Sequence, residues 1–215
     1  MIYLMLRKLK NRICGIKNNF YNWLRGYDDY FYFPFSTNKP MPASGNIVMR
    51  NCCEALEKLG VHYQISDGTA LGLYRQNGFI PHDNDLDVDI LGDNVDVEAI
   101  QNCFENELNM TLGRKMSYKG QIQQLTYYSD DEVIFDMIFW HVEGDMCVVR
   151  YPEAPKCVLK KKYFDHTYWF MFEGKEYPMH APIEEWLIDR YGDDWNIPKT
   201  SKGDWREDSN FFVGK

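Results

Sequence analysis

Val48, Cys52, Ala55, Leu56 and Leu59 recur at three- and four-residue steps, the apolar stripe of an amphipathic helix. Gly60 follows where a helix is stopped by a C-cap glycine. The period then shortens to two: Val61, Tyr63 and Ile65 share one face of a strand. Gly68-Thr69 reads as a turn and Ala70 to Arg75 as a short helix, followed by a strand from Leu86 to Leu91. A second longer helix is expected over Val95 to Leu108, with Ile100, Cys103, Phe104 and Leu108 inward. Strands come next around Met110 to Tyr118, Gln121 to Tyr128 and Glu132 to His141, then a hairpin across YWFMFEGKEYPM that turns at Gly174. Pro182 opens a last helix, Ile183 to Tyr191, halted at Gly192. Interleaved helices and strands predict an α/β (α+β) fold, a mixed sheet flanked by helices.

Ahead of this body the pattern changes. Ile2, Met5, Leu9, Ile13, Ile16, Phe20 and Trp23 make a helical stripe, with Lys and Arg off it. Arg7, Lys8, Lys10, Arg12, Lys17 and Arg25 are joined by no acid before Asp28. The loop STNKPMPASGN divides a basic amphipathic extension, residues 1–40, from a catalytic body over 41–215. A helix of that kind lies either on an anionic membrane surface or on its own domain.

Composition narrows the class. Hydrophobic residues at 45% and charged residues at 26% suit a globular domain with a sizeable core. The net charge of −8 excludes a general nucleic-acid binder, which needs a basic surface for phosphates. Six cysteines without a C-x-x-C spacing give no support to a zinc site. They are expected as reduced thiols in a cytoplasmic protein, not a secreted one, because MIYLML is too short for a signal sequence. No run approaches the roughly 20 apolar residues of a membrane span, so any membrane contact is expected to be peripheral, at the inner face.

The candidate chemistry lies in PHDNDLDVDIL. Asp83, Asp85, Asp87 and Asp89 occupy every second position, so on a strand Asp85, Asp87 and Asp89 face one way and Leu86, Val88 and Ile90 the other. Carboxylates two residues apart stand about 7 Å from one another and repel by roughly 2.4 kcal/mol at an effective dielectric near 20. A solvated acidic edge is one resolution. A divalent cation between Asp85 and Asp87, with Asp83 reaching in from the loop, is the other, and hard oxygen donors suit Mg2+ or Mn2+. An EF-hand beginning at Asp83 is excluded, since it needs Gly at Val88 and Glu at Asn94. Asp136 sits in EVIFDMIFWH, a strand apolar on both faces and therefore central. An ionised Asp there needs a metal, a cationic partner or a local cap. Upstream, the N–H groups at Gly68-Thr69 offer an anion site before a helix.

Taken whole, Gly68-Thr69-x-Leu71-Gly72-x-x-Arg75-x-x-Gly78-Phe79-Ile80-Pro81-x-Asp83-x-Asp85-x-Asp87 resembles the signature of the LicD family, which includes fukutin and fukutin-related protein. FDMIFW resembles the strand of the family's third acid, and EEWLIDRYGDDWNIP its C-terminal segment, so the likeness runs from about Asn46 to Pro198. His82 stands where the family usually has Trp, and Asn84 where a middle Asp is frequent. The resemblance implies a nucleotidyltransferase-type fold and transfer of a phospho-alcohol, such as phosphocholine or ribitol phosphate, from a CDP-linked donor to a glycan or lipid-linked glycan. It implies that Asp83, Asp85, Asp87 and Asp136 bind metal, that Asp85, Asp87 and Asp136 are catalytic, that Gly68 and Thr69 hold donor phosphate, and that Arg75 neutralises phosphate or braces the cleft. His82 is either a ligand for phosphate or acceptor hydroxyl or a plain loop residue. Tyr191, Asp194 and Trp195 supply either a stacking surface for cytosine or sugar or core packing. Three rivals share parts of the pattern: a nucleotidyltransferase moving NMP from an NTP, a metal-dependent glycosyltransferase, and an inactive binding or scaffold domain.

Overall fold

The structure, a computed structural model, describes residues 24–32, 39–152 and 156–199; the basic stripe from Ile2 to Trp23 lies outside the described residues. Among the described residues ten strands run in chain order as β1 (Tyr27–Tyr32), β2 (Tyr63–Ile65), β3 (Asp85–Leu91), β4 (Thr111–Tyr118), β5 (Gln121–Tyr128), β6 (Ile134–Glu143), β7 (Met146–Val149), β8 (Cys157–Lys160), β9 (Thr167–Phe172) and β10 (Lys175–His180). The α-helices among the described residues are α1 (Gly45–Lys58), α2 (Asp67–Gln76), α3 (Val97–Asn102) and α4 (Ile183–Tyr191). The strands form one sheet in the order β1-β4-β5-β6-β3-β2-β10-β9, with β7 on the far end of β6 and β8 on β7. β3 pairs with β6 in parallel, as β2 does with β10, and the other pairings are antiparallel.

The expected mixed sheet is therefore present, and its centre is the pair that carries the acids. Leu86, Val88 and Ile90 on β3 and Phe135, Met137 and Phe139 on β6 are almost fully buried on the opposite face. Phe104 packs there, with its ring 5.1 Å from that of Tyr127 and 5.8 Å from that of Phe135. Helix α1 closes the same side, where the Tyr63 hydroxyl, level with Ile90, donates to Glu57. Gly60 ends α1 at φ +70, with Gly60 N–H on the Glu57 carbonyl and Val61 N–H on that of Leu56, the double bond pattern of a Schellman cap.

Differences from expectation have local causes. The helix expected over Val95 to Leu108 starts at Val97, because Asp96 caps the N–H of Ala99, and it continues through Cys103–Glu107 as a π-helical turn. Helix α2 begins at Asp67, so Gly68 and Thr69 belong to its first turn rather than to a separate turn. Strands β7 and β8, four residues each, are too short to display an alternation, and β1 adds an edge strand from within the segment assigned to the extension. The five described cysteines, Cys52, Cys53, Cys103, Cys147 and Cys157, are free and buried. Among the described residues no helix is long and apolar enough to cross a membrane.

Gly72 explains part of the glycine-rich stretch. A Cβ there would stand 2.7 Å from the carbonyl oxygen of Gly78, where the chain returns after α2. Replacing it with alanine should cost about 2 kcal/mol through overpacking, read as a fall in Tm of roughly 4–8 °C in a thermal melt.

Candidate active site

Parallel pairing sets Asp87 directly beside Asp136, and antiparallel pairing sets Thr126 beside Asp136 and Arg114 beside Thr126. Partners in register point to the same face, so these four side chains form one row across four strands. Asp85 and Asp89 flank the row on β3. The predicted meeting of the third acid with the acidic strand is thus present, at the closest register the sheet allows.

The first turn of α2 packs on this row. Ser66 N–H donates to the Asp87 carbonyl, and the buried Thr69 hydroxyl accepts from the Asp87 N–H at 2.8 Å and lies 3.4 Å from the Asp85 carbonyl. The Thr69 side chain therefore holds β3 itself, leaving only its backbone to face a ligand. Gly68 keeps space open: a Cβ there would lie 2.6 Å from Asp83 Oδ2 and 3.7 Å from Asp87 Oδ2. Asn84 points away from the acids, as its alternation requires, and its amide donates to the Glu132 carbonyl at 3.0 Å. With Ile134 N–H on the Asn84 carbonyl, it locks the start of the β3–β6 register.

The acids differ in how the protein balances them. Asp67 accepts from Arg190 Nε at 2.5 Å, and Asp89 is 2.8 Å from His180 Nε2 with both side chains buried. Asp136 accepts from the Gln124 amide on both oxygens, at 2.7 and 2.6 Å, and from the Thr126 hydroxyl at 2.6 Å. Burial raises its pKa, these two neutral donors and the charge of Arg114 pull it back, and the outcome is about 6. No Lys, Arg or His among the described residues pairs with Asp83, Asp85 or Asp87. Burial and then Asp83 push Asp85 well above the usual carboxylate range. Burial and the charges of Asp85, Asp67, Asp83 and Asp136 do the same to Asp87. Among the described residues no three His, Cys, Asp or Glu side chains converge as a finished metal cage. The donor chemistry nonetheless fits a hard divalent cation: three uncompensated carboxylates share one face, with room above them at Gly68.

Arg75 is not brought to the acids. It lies in the last turn of α2, 3.5 Å from the Trp195 carbonyl and 3.3 Å from Gln76 Oε1, so it braces α2 against the C-terminal segment. Trp195 packs on Tyr74 with ring centres 5.7 Å apart, Asp194 pairs with Lys199, and His82 is exposed. Gln124, Thr126, Arg114 and the Asp67–Arg190 pair were not anticipated. One signal was available for two of them: Gln124 and Thr126 are polar residues at alternate positions of a strand that is otherwise largely apolar. Replacing Thr69 with valine should strand the Asp87 N–H in the interior, costing about 2 kcal/mol. Faster amide hydrogen exchange at Asp87, with a lowered Tm, is the expected result.

The family described as LicD/FKTN/FKRP, nucleotidyltransferase domain, matches residues 60–181. The human ribitol-5-phosphate transferase FKTN is 28% identical over 166 residues, which cover 76% of this chain and 35% of the human protein. The chain thus spans about a third of that relative's length. An uncharacterized protein of Rickettsia prowazekii (strain Madrid E) is 29% identical over 133 residues, 61% of this chain and 43% of that one. Among solved structures, the antibiotic-resistance factor ANT(2'')-Ia superposes with a TM-score of 0.48 and 13% identity, covering 79% of this chain and 82% of the other. With the family match spanning more than half of its length and the acid row in place, this chain belongs to the LicD/FKTN/FKRP nucleotidyltransferase-domain family.

Proposed function

We propose that the chain is a metal-dependent phosphotransferase that moves a phospho-alcohol, ribitol phosphate or phosphocholine among the candidates, from a CDP-linked donor to a hydroxyl of a glycan or lipid-linked glycan, releasing CMP. The observation that carries this reading is the register of Asp87 with Asp136 beneath the open Gly68 turn. Its similarity to a ribitol-5-phosphate transferase supports the choice of transferred group.

Asp83, Asp85 and Asp87 would hold Mg2+ or Mn2+, and such a cation would offset the charge of the donor diphosphate. Backbone N–H groups of Gly68 and Thr69, in the first turn of α2, lie where intrahelical acceptors are lacking and are assigned to donor phosphate. Asp136 is assigned as general base. Gln124 and Thr126 hold it as an acceptor, and a carboxylate of pKa about 6 takes a proton near neutrality. The acceptor oxygen then forms a bond to the phosphorus that carries the alcohol, its proton passes to Asp136, and the bond from that phosphorus to the CMP oxygen breaks. The rival that moves NMP from an NTP shares these residues and is favoured by the name of the family's domain; it would release pyrophosphate.

Incubation of the chain with Mg2+, CDP-ribitol and a panel of glycans should yield CMP. Asp87→Asn should reduce the rate at least ~100-fold with the fold retained, as should Asp136→Asn. CMP release at the parental rate in both variants would sink the reading, and pyrophosphate from an NTP instead of CMP would select the rival. A base must be deprotonated to act, so the rate should fall as pH drops through about 6, with the limb displaced lower when a cation sits nearby. Gly68→Ala removes the space beside Asp83 Oδ2. It should weaken Mn2+ binding about tenfold or more, measured by titration, while Tm moves little because half-buried Asp83 can turn outward.

A further inference from the structure

The residue that opens the phosphate-facing turn is held from the other end of the chain. Asp67 adopts φ +42, left-handed backbone that costs a side-chain-bearing residue free energy and persists only where the surroundings enforce it. Ser66 before it is extended, at φ −136, and Gly68 after it faces Asp83 and Asp87. Ser66 and Thr69 are pinned to β3 on either side of the kink. The Asp67 side chain is fixed by Arg190 in the last turn of α4, 123 residues later. Arg190 is 9% exposed, so its guanidinium sits inside the protein, and its Cζ also lies 5.2 Å from the centre of the Tyr191 ring.

The pair has two physical effects. It over-determines the torsion at Asp67, and hence the direction of the Gly68 and Thr69 N–H groups. It also cancels a negative charge that acts on both Asp85 and Asp87. An ionised Asp67 without its partner would repel an incoming diphosphate across the same turn.

We propose that Arg190 and Asp67 form a strut through which helix α4 positions the phosphate-binding turn, making Arg190 a positioning residue for the transfer reaction. The inference rests on the assignment of donor phosphate to Gly68 and Thr69. Breaking the strut from either end or from both frees the Asp67 torsion, and losing Arg190 alone adds the repulsion of an unpaired Asp67.

The test is calorimetric titration of the full chain with CDP in the presence of Mg2+, alongside Tm. Arg190→Met, Asp67→Asn and the double variant should each weaken CDP by about tenfold, with the double no worse than the weaker-binding single, whereas Arg190→Lys should stay within about threefold of the parent. Folded variants that bind CDP as the parent does, with only Tm lowered, would overturn the strut, as would losses that multiply in the double variant. Should Arg190→Met fail to fold, the double variant carries the test, since it leaves no carboxylate unpaired at position 67. A parent chain that does not bind CDP with Mg2+ removes the phosphate assignment itself, and the strut with it; a parent that binds while the variants match it removes the strut alone.

Discussion

Two carboxylates on adjacent strands of a parallel pair are the constraint around which this structure is arranged. Neighbouring strands lie about 4.8 Å apart, and unit charges at ~5 Å repel by roughly 3 kcal/mol at an effective dielectric near 20. Asp87 and Asp136 share that spacing at the centre of a sheet whose other face is sealed by Leu86, Val88, Phe135 and Met137. The surrounding residues divide the work of tolerating it. Gln124 and Thr126 hold Asp136 from one flank, Thr69 anchors the Asp87 backbone from the other, and His180 lies within hydrogen-bond distance of Asp89 one step along the strand.

The glycine-rich signature separates into distinct physical jobs. Gly68 leaves a gap for the carboxylates, Gly72 lets the chain pass close by after the helix, and Arg75 ties the helix end to the Trp195 carbonyl. Asn84, where the family often has an acid, fastens the acidic strand to the loop before β6. Four residues within one short stretch thus serve four different contacts. Substitutions along it would accordingly fail in different ways, some through packing and some through charge.

Alternation and helical stripes were enough to place β3, α1 and α4, because each shows its period over several residues, whereas β6 was placed as a continuous apolar run. Asp136 stood out as an acid in a doubly apolar strand, and its neighbours Asp85 and Asp87 stood out by repetition. What stayed hidden was set by tertiary pairing. Nothing near Arg190 in the chain hints at Asp67, and nothing near His180 hints at Asp89. Arg75 was assigned by the resemblance to phosphate or to bracing; in the fold its guanidinium lies against the Trp195 carbonyl, where the C-terminal segment meets α2. Gly68 and Thr69 were read as a turn between strand and helix, yet they lie in the first turn of α2, where the Thr69 hydroxyl accepts from the Asp87 N–H of β3.

The position of β10 has a further consequence for how the molecule comes into being. It lies alongside β2, and its His180 covers Asp89, while the helix that follows reaches back to Asp67. A ribosome must therefore have passed His180 and Arg190 before Asp89 and Asp67 acquire their partners. Until then β2 is left as an open border of the sheet, and Asp89 lacks its hydrogen-bond partner. Contacts this far apart in sequence slow folding, and they set the acid strand among the last regions to consolidate.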